Sequence, residues 1–144
     1  MKDTELEKIL KETRNVAVIG CSPNTSRSSN SISRRLLNLG REIFPVNPNY
    51  RQVLERKCVP TMQDLPKNEL IDIALIFRNP QDAPESVKDI ITFARNRNQS
   101  PVVWTQPGAH SNTSQNMAEA AGLPYLGDYC IAVEYARLQI PEQG

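Results

Sequence analysis

Apolar and polar positions follow two rhythms along this chain. Short apolar runs occur at Val16-Ala17-Val18-Ile19, Ile43-Phe44-Pro45-Val46, Ile73-Ala74-Leu75-Ile76-Phe77 and Val102-Val103-Trp104. They predict strands over 15–20, 42–47, 72–77 and 101–105; the first is apolar on both faces, as in a sheet covered by helices. Between them, apolar residues recur at helical spacing. Leu6, Ile9 and Leu10 predict a helix over 3–13. Ile32, Leu36 and Leu39 predict another, capped by Ser29 or Asn30 and stopped by Gly40. Pro80 opens a third, with Val87, Ile90, Ile91 and Ala94 on one face. Helices over 113–121 and 130–138 follow, with a short strand at 124–126 between them. Gly122 stops the first, and Ile131, Tyr135 and Leu138 turn the second toward the core. The segment 50–70 carries a short strand at 57–59 and a turn of helix near 62–65.

Strand alternating with helix predicts an α/β chain with a mostly parallel sheet. Right-handed crossovers then place helices on both faces. Ligands of such sheets bind at the carboxyl ends of the strands, near the point where strand order reverses. The candidate binding loops are therefore 20–30, 47–51, 77–80 and 105–112.

Bulk properties narrow the choice. At 144 residues the chain is expected to be one domain, with a core over 14–138, a lead-in helix over 1–13 and a tail over 139–144 that frays from Pro141. A formal net charge of +1 gives no long-range field for nucleic acid or a membrane surface. No apolar run approaches the roughly 20 residues that cross a bilayer. The alternating charges of Met1-Lys2-Asp3-Thr4-Glu5 do not make a secretory signal. Cys21, Cys58 and Cys130 form neither a CxxC pair nor a zinc pattern, so no metal site is expected. A reducing, cytoplasmic setting is the simplest expectation.

The loops suggest an anion. Loop 20–30 precedes a helix, whose free amides and dipole favour negative charge. Ser22, Ser28, Ser29 and Asn30 add short donors, and Arg27 can grip a phosphate in two places. A pyrophosphate suits this loop. Turn formation and helix capping are the plainer roles for its Ser and Asn residues. After Gly20, Cys21-Ser22-Pro23 breaks the GxGxxG pattern, and the second strand ends in Val46-Asn47-Pro48 without an acid for a ribose 2′-hydroxyl. NAD is therefore not expected. Adenine can lie against Val46 and Pro48, with Asn47 reading a polar edge.

Phe77-Arg78 ends a strand on the same rim, and Arg78 is a candidate for a phosphate or a surface ion pair. On the next rim Gln106 can donate and accept, and Gly108 permits close backbone approach. His110, with no second ligand or base in view, is expected to be a solvated loop residue. Cys130 and Glu134 share one face of the last helix. They make either a reactive thiol with a carboxylate, or a small buried Cys with Glu134 paired to Arg137.

Taken in order, Val18-Ile19-Gly20-Cys21-Ser22-Pro23 with Arg27 and Ser29, Pro45-Val46-Asn47-Pro48, Leu54 with Lys57 and Pro60, Phe77-Arg78, Trp104-Thr105-Gln106-Pro107-Gly108, and Asp128-Tyr129-Cys130 with Glu134 form a set. This set resembles the small single-domain CoA-binding proteins, relatives of the CoA-binding domain of the succinyl-CoA synthetase α subunit. The resemblance covers roughly 14 to 138. It implies a Rossmann-like parallel sheet of about five strands with helices on both faces. It also implies coenzyme A or an acyl-CoA as ligand. The pyrophosphate would meet residues 20–22 and 27–29, and the adenosine half would lie along 46–48 and near 77–78. Lys57 would approach the 3′-phosphate, and the pantetheine arm would point toward Gln106 and Gly108. Where the family often has Ala, Pro and an apolar residue, this chain has Cys21, Ser28 and the run Ala109-His110-Ser111.

The function expected is nucleotide-type ligand binding without catalysis. The alternative is a small enzyme acting on CoA thioesters or CoA disulfides through Cys130 and Glu134. A homo-oligomer or a partner enzyme fits either reading. A receiver domain is not expected, because Gly20 and Cys21 stand where its carboxylate would be.

Overall fold

The computed structural model describes residues 1–142. Its main sheet has five strands: β1 (Asn15–Ile19), β2 (Glu42–Val46), β5 (Ile73–Ile76), β6 (Val102–Thr105) and β7 (Tyr125–Gly127). Their order is β2-β1-β5-β6-β7, and every neighbouring pair is parallel. This is the Rossmann-like α/β arrangement. The helices are α1 (Asp3–Glu12), α2 (Ser28–Asn38), α3 (Ala83–Arg97), α4 (Asn112–Ala120) and α5 (Ile131–Arg137).

Alternation along the strands divides the core in two. Val16 and Val18 of β1 face one layer with Leu6 and Leu10 of α1, Leu36 of α2 and Ile131 and Tyr135 of α5. Ala17 and Ile19 face the other, with Val87, Ile90 and Phe93 of α3 and Ala118 of α4. Both faces of the central strands are buried, which is why their sequence is apolar without interruption.

The segment 50–70 is more structured than its composition suggests. β3 (Gln52–Val53) and β4 (Arg56–Lys57) form an antiparallel hairpin, and a 3₁₀ turn spans Met62–Asp64. Val59 adds a parallel bridge to Val46. Three other expectations need correction. The helix α2 starts at Ser28, ahead of both expected caps, because the Ser29 and Asn30 side chains turn back to the preceding loop. The helix α3 starts at Ala83 rather than Pro80, and Pro84 occupies its first turn, where no backbone donor is needed. The tail does not fray at its first residue: the Pro141 carbonyl accepts from Arg41 Nη1 at 3.1 Å. The last two residues of that tail, Gln143 and Gly144, lie outside the described residues. Among the described residues no helix is long and apolar enough to cross a membrane.

Candidate functional site

Chain order places the reversal between β1 and β5: the connection from β1 leads outward to β2, and β5 leads the other way to β6. A crevice opens at the carboxyl ends of such neighbours. Here it is bounded by Gly20 and Phe77. The Gly20 amide donates to Val46 O at 2.8 Å and the Phe77 amide to Ile19 O at 2.9 Å, so three strand ends meet. Gly20 has φ +85, and a Cβ there would clash with the Phe77 carbonyl oxygen. Only glycine lets the chain turn away from the sheet at this point.

Two cavities adjoin across that point. One, of about 510 Å³, lies over the start of α2 and is lined by Gly20, Ser22, the run Ser26 to Ser29, Asn47, Asn49, Tyr50 and Phe77. The other, of about 440 Å³, lies between the end of β2 and the start of α3. Its apolar walls are Ile19, Val46, Pro48, Pro60 and Phe77; its polar groups include Asn47, Asn49, Thr61, Arg78, Asn79 and Ser86. Gly20, Asn47, Asn49 and Phe77 line both.

The loop over α2 is fixed by its own side chains. Ser29 Oγ accepts from the Ser22 amide at 3.0 Å, and Asn30 Nδ2 donates to Ser22 O at 2.9 Å. Ser22 Oγ accepts from the Asn24 amide at 3.0 Å. This leaves the Ser28 and Ser29 amides as the first donors of the helix without an acceptor among the described residues. Arg27 is the capping residue, exposed, with no acidic residue in the first turn of α2. Unused amides, a helix dipole and an uncompensated guanidinium therefore converge on one polar cavity. That chemistry suits an anion with several oxygens.

Asn47 joins the two cavities by its bonds as well as its position. Its Nδ2 donates to Cys21 O at 3.0 Å and its Oδ1 accepts from the Asn49 amide at 3.0 Å. The loop thus uses one N–H and one lone pair of the amide, and one of each is left. Cys58 Sγ donates to Asn47 O at 3.5 Å from below. The Cys21 thiol lies 3.7 Å from Ser33 Oγ in the core, and burial pushes it up to about 11. Burial also raises the Cys58 thiol. Both are packing residues.

The remaining candidates sit elsewhere. Arg78 lies on the second cavity, but its charge is already met: Nη1 is 3.6 Å from Glu85 Oε1 and Nη2 3.8 Å from Asp82 Oδ2. Lys57, exposed on the β3–β4 hairpin, lines neither cavity. Gln106 is buried, and its Oε1 accepts from the Ile131 amide at 2.9 Å, capping α5. Gly108 (φ +88) donates to Asp128 Oδ1 at 3.3 Å. Neither lines the two cavities. Cys130 is the capping residue of α5. Glu134 is buried and bound by Arg137, with Nη2 to Oε2 at 2.6 Å, and Arg137 also grips Asp3.

His110 differs from its expectation as a solvated residue. It is partly buried against Tyr125, with Nδ1 2.8 Å from Tyr125 Oη, which is 3.0 Å from Thr105 Oγ1. Gly127 leaves the room this ring occupies. Asn49, Tyr50, Asn79 and Ser86 line the cavities without having been singled out. Asn49 and Tyr50 fall inside the expected loop 47–51. Ser86 lies one turn into α3, and only the sheet topology brings it to the rim.

Comparison with known proteins agrees with this fold. The chain is 29% identical over 132 residues to "Uncharacterized protein YneT" of Bacillus subtilis (strain 168), covering 92% of this chain and 93% of that one. Over 74 residues it is 35% identical to acetate–CoA ligase [ADP-forming] I of Archaeoglobus fulgidus, which is 51% of this chain and only 10% of the ligase. A solved structure, a hypothetical protein from Pyrococcus horikoshii OT3, superposes with a TM-score of 0.87 at 31% identity, over 96% of this chain and 93% of that one. The family model described as a CoA binding domain matches residues 14–136, and the chain belongs to that CoA-binding domain family.

Proposed function

We propose that this chain binds coenzyme A or an acyl-CoA across the two adjoining cavities, without catalysis of its own. The pyrophosphate lies over the start of α2, against the Ser28 and Ser29 amides and Arg27. The adenosine lies in the cleft walled by Val46, Pro48 and Phe77. The pantetheine arm runs from this junction along the strand ends toward Gly108. The observation that carries the reading is the helix start with open amides and no acid, joined through Gly20 and Asn47 to an apolar-walled cleft. An adenosine diphosphate needs that pairing of an anion grip with a flat apolar slot. The end of β2 offers Asn47, an amide and not a carboxylate, so the acidic grip on a ribose 2′-hydroxyl is missing.

The catalytic alternative draws no support from the Cys130 region. Glu134 is held by Arg137, and no hydrogen bond joins its carboxylate to Cys130. The test is titration calorimetry with CoA, acetyl-CoA, NAD and FMN, with mass spectrometry of any ligand that co-purifies. Micromolar CoA binding, about −8 kcal/mol, with no heat from NAD or FMN is the expected result. Binding of NAD in preference to CoA would overturn the reading.

A further inference from the structure

The two cavities differ in the sign of their charge. Over α2 the only charged side chain is Arg27. In the adenosine cleft, Arg78 stands against Asp82, Glu85 and Asp89. These carboxylates are not equally occupied. Asp89 accepts from the Met62 amide at 2.8 Å and from Gln63 Nε2 at 3.0 Å, which anchors the 3₁₀ turn. Asp82 Oδ2 accepts from Asn79 Nδ2 at 2.8 Å. Glu85 has only its 3.6 Å approach to Arg78, and its side chain is 81% exposed. The cleft therefore holds one guanidinium, already compensated, and an excess of negative charge at its mouth. Lys57 does not line it.

This asymmetry bears on the one anionic part of coenzyme A that the helix start does not address, the monophosphate on its ribose. A bare ribose hydroxyl can donate to a carboxylate such as Glu85. A phosphate dianion cannot, and it is repelled by the same group. Resting on the coenzyme reading above, we propose that this site does not recognise the ribose 3′-phosphate. It selects the adenosine diphosphate–pantetheine part of the ligand and takes 3′-dephospho-CoA about as readily as CoA, with Glu85 as the residue that sets this selectivity. The diphosphate is held at Arg27 in either ligand.

The experiment is calorimetric titration of both ligands into the wild-type chain, Glu85→Lys and Arg27→Ala, at low and at physiological salt. In the wild type the CoA affinity is expected to be no more than about threefold above that of 3′-dephospho-CoA. Glu85→Lys should raise the preference for CoA by about two- to fivefold, most clearly at low salt, where the Debye length is longest. Arg27→Ala should weaken both ligands by the same factor. A wild-type preference for CoA above that threefold limit, or a Glu85→Lys change that moves both ligands equally, overturns the proposal while leaving the coenzyme reading in place. Failure of both ligands to bind the wild type overturns the coenzyme reading, and the selectivity with it.

Discussion

The helix α2 has an arginine at each end, and the two are used in opposite ways. Arg41, just past its C-terminus, is 2% exposed. Its Nη1 donates to Leu39 O at 2.7 Å and Pro141 O at 3.1 Å, and its Nη2 to Leu10 O at 2.9 Å. No carboxylate faces it; its guanidinium lies 4.8 Å over the Tyr135 ring. The charge is met by carbonyls at the C-terminal ends of α1 and α2, the negative poles of both helices. Arg27, at the other end, is exposed, beside the positive pole of the same helix, with no acid in the first turn. One guanidinium satisfies its helix end; the other aggravates it. A folded chain gains nothing from the second arrangement unless an anion comes to it. On the proposed reading, stability is concentrated at one end of α2 and ligand affinity at the other.

Removing the buried cation should produce the largest effect. Arg41→Ala takes the guanidinium donor from the Leu39 and Pro141 carbonyls, leaves the Leu10 carbonyl with the Tyr135 hydroxyl, and opens a cavity under Tyr135. It should destabilise the chain by about 3–5 kcal/mol in urea unfolding. Two buried groups govern the response to alkali, Tyr135 at this end of the helix and Cys21 in the loop before it. Burial pushes the Tyr135 hydroxyl from 10.0 up to about 12 and the Cys21 thiol from 9.0 up to about 11. Each is neutral when protonated, and the unfolded chain releases its proton first. Stability is therefore full below about pH 9 and falls as pH rises through 12, by about 2–3 kcal/mol per group. Tyr135→Phe should flatten the upper part of that fall in a pH series of unfolding curves. An unchanged slope would mean that this end of the helix is not the alkali-sensitive one.

How much of this was legible beforehand depends on the range of the interactions. The strands and the inward faces of the helices follow from local periodicity, so β1, β5 and α3 fall close to where Val16–Ile19, Ile73–Ile76 and Val87–Ala94 predict them. The position of the rim follows from strand–helix alternation. What local pattern misses is side-chain bonds across long separations. Ser29 and Asn30 look like caps, yet they bond back to Ser22. Gln106 looks like a ligand contact, yet it caps α5 across 25 residues. Arg41 looks like a surface residue after Gly40, and its burial depends on Leu10 and Pro141, which nothing near it in sequence announces. Arg78 reads as a rim residue, but its pairing with Asp82 and Glu85 needs the first turn of α3 in place.

At the ligand end, truncation should separate the two properties. Arg27→Ala should weaken CoA by about 1.5–3 kcal/mol, the worth of a charged hydrogen bond, in calorimetry. The unliganded chain should not lose stability. It should gain about 0.3–1 kcal/mol, because a cation leaves the positive pole of α2. A loss of stability equal to the loss of affinity would erase the contrast between the two ends.

The finest probe puts the missing acid where it is absent. Ser28 is the first residue of α2, and the capping residue before it, Arg27, makes no side-chain capping bond. In Ser28→Asp a carboxylate sits beside the Ser28 and Ser29 amides and near Arg27, so it supplies within the chain the charge assigned to the pyrophosphate. Thermal unfolding of the unliganded variant should show a gain of about 0.3–1 kcal/mol, the usual value of an acid at a helix start. CoA should then bind more weakly, since its diphosphate meets a fixed negative charge and donors already satisfied. The two effects must have opposite sign if one patch of positive potential serves both. If Ser28→Asp stabilises the chain and leaves CoA affinity unchanged, the diphosphate does not lie over α2. If it destabilises the chain, the helix start is not short of negative charge, and the difference between Arg27 and Arg41 is one of burial alone.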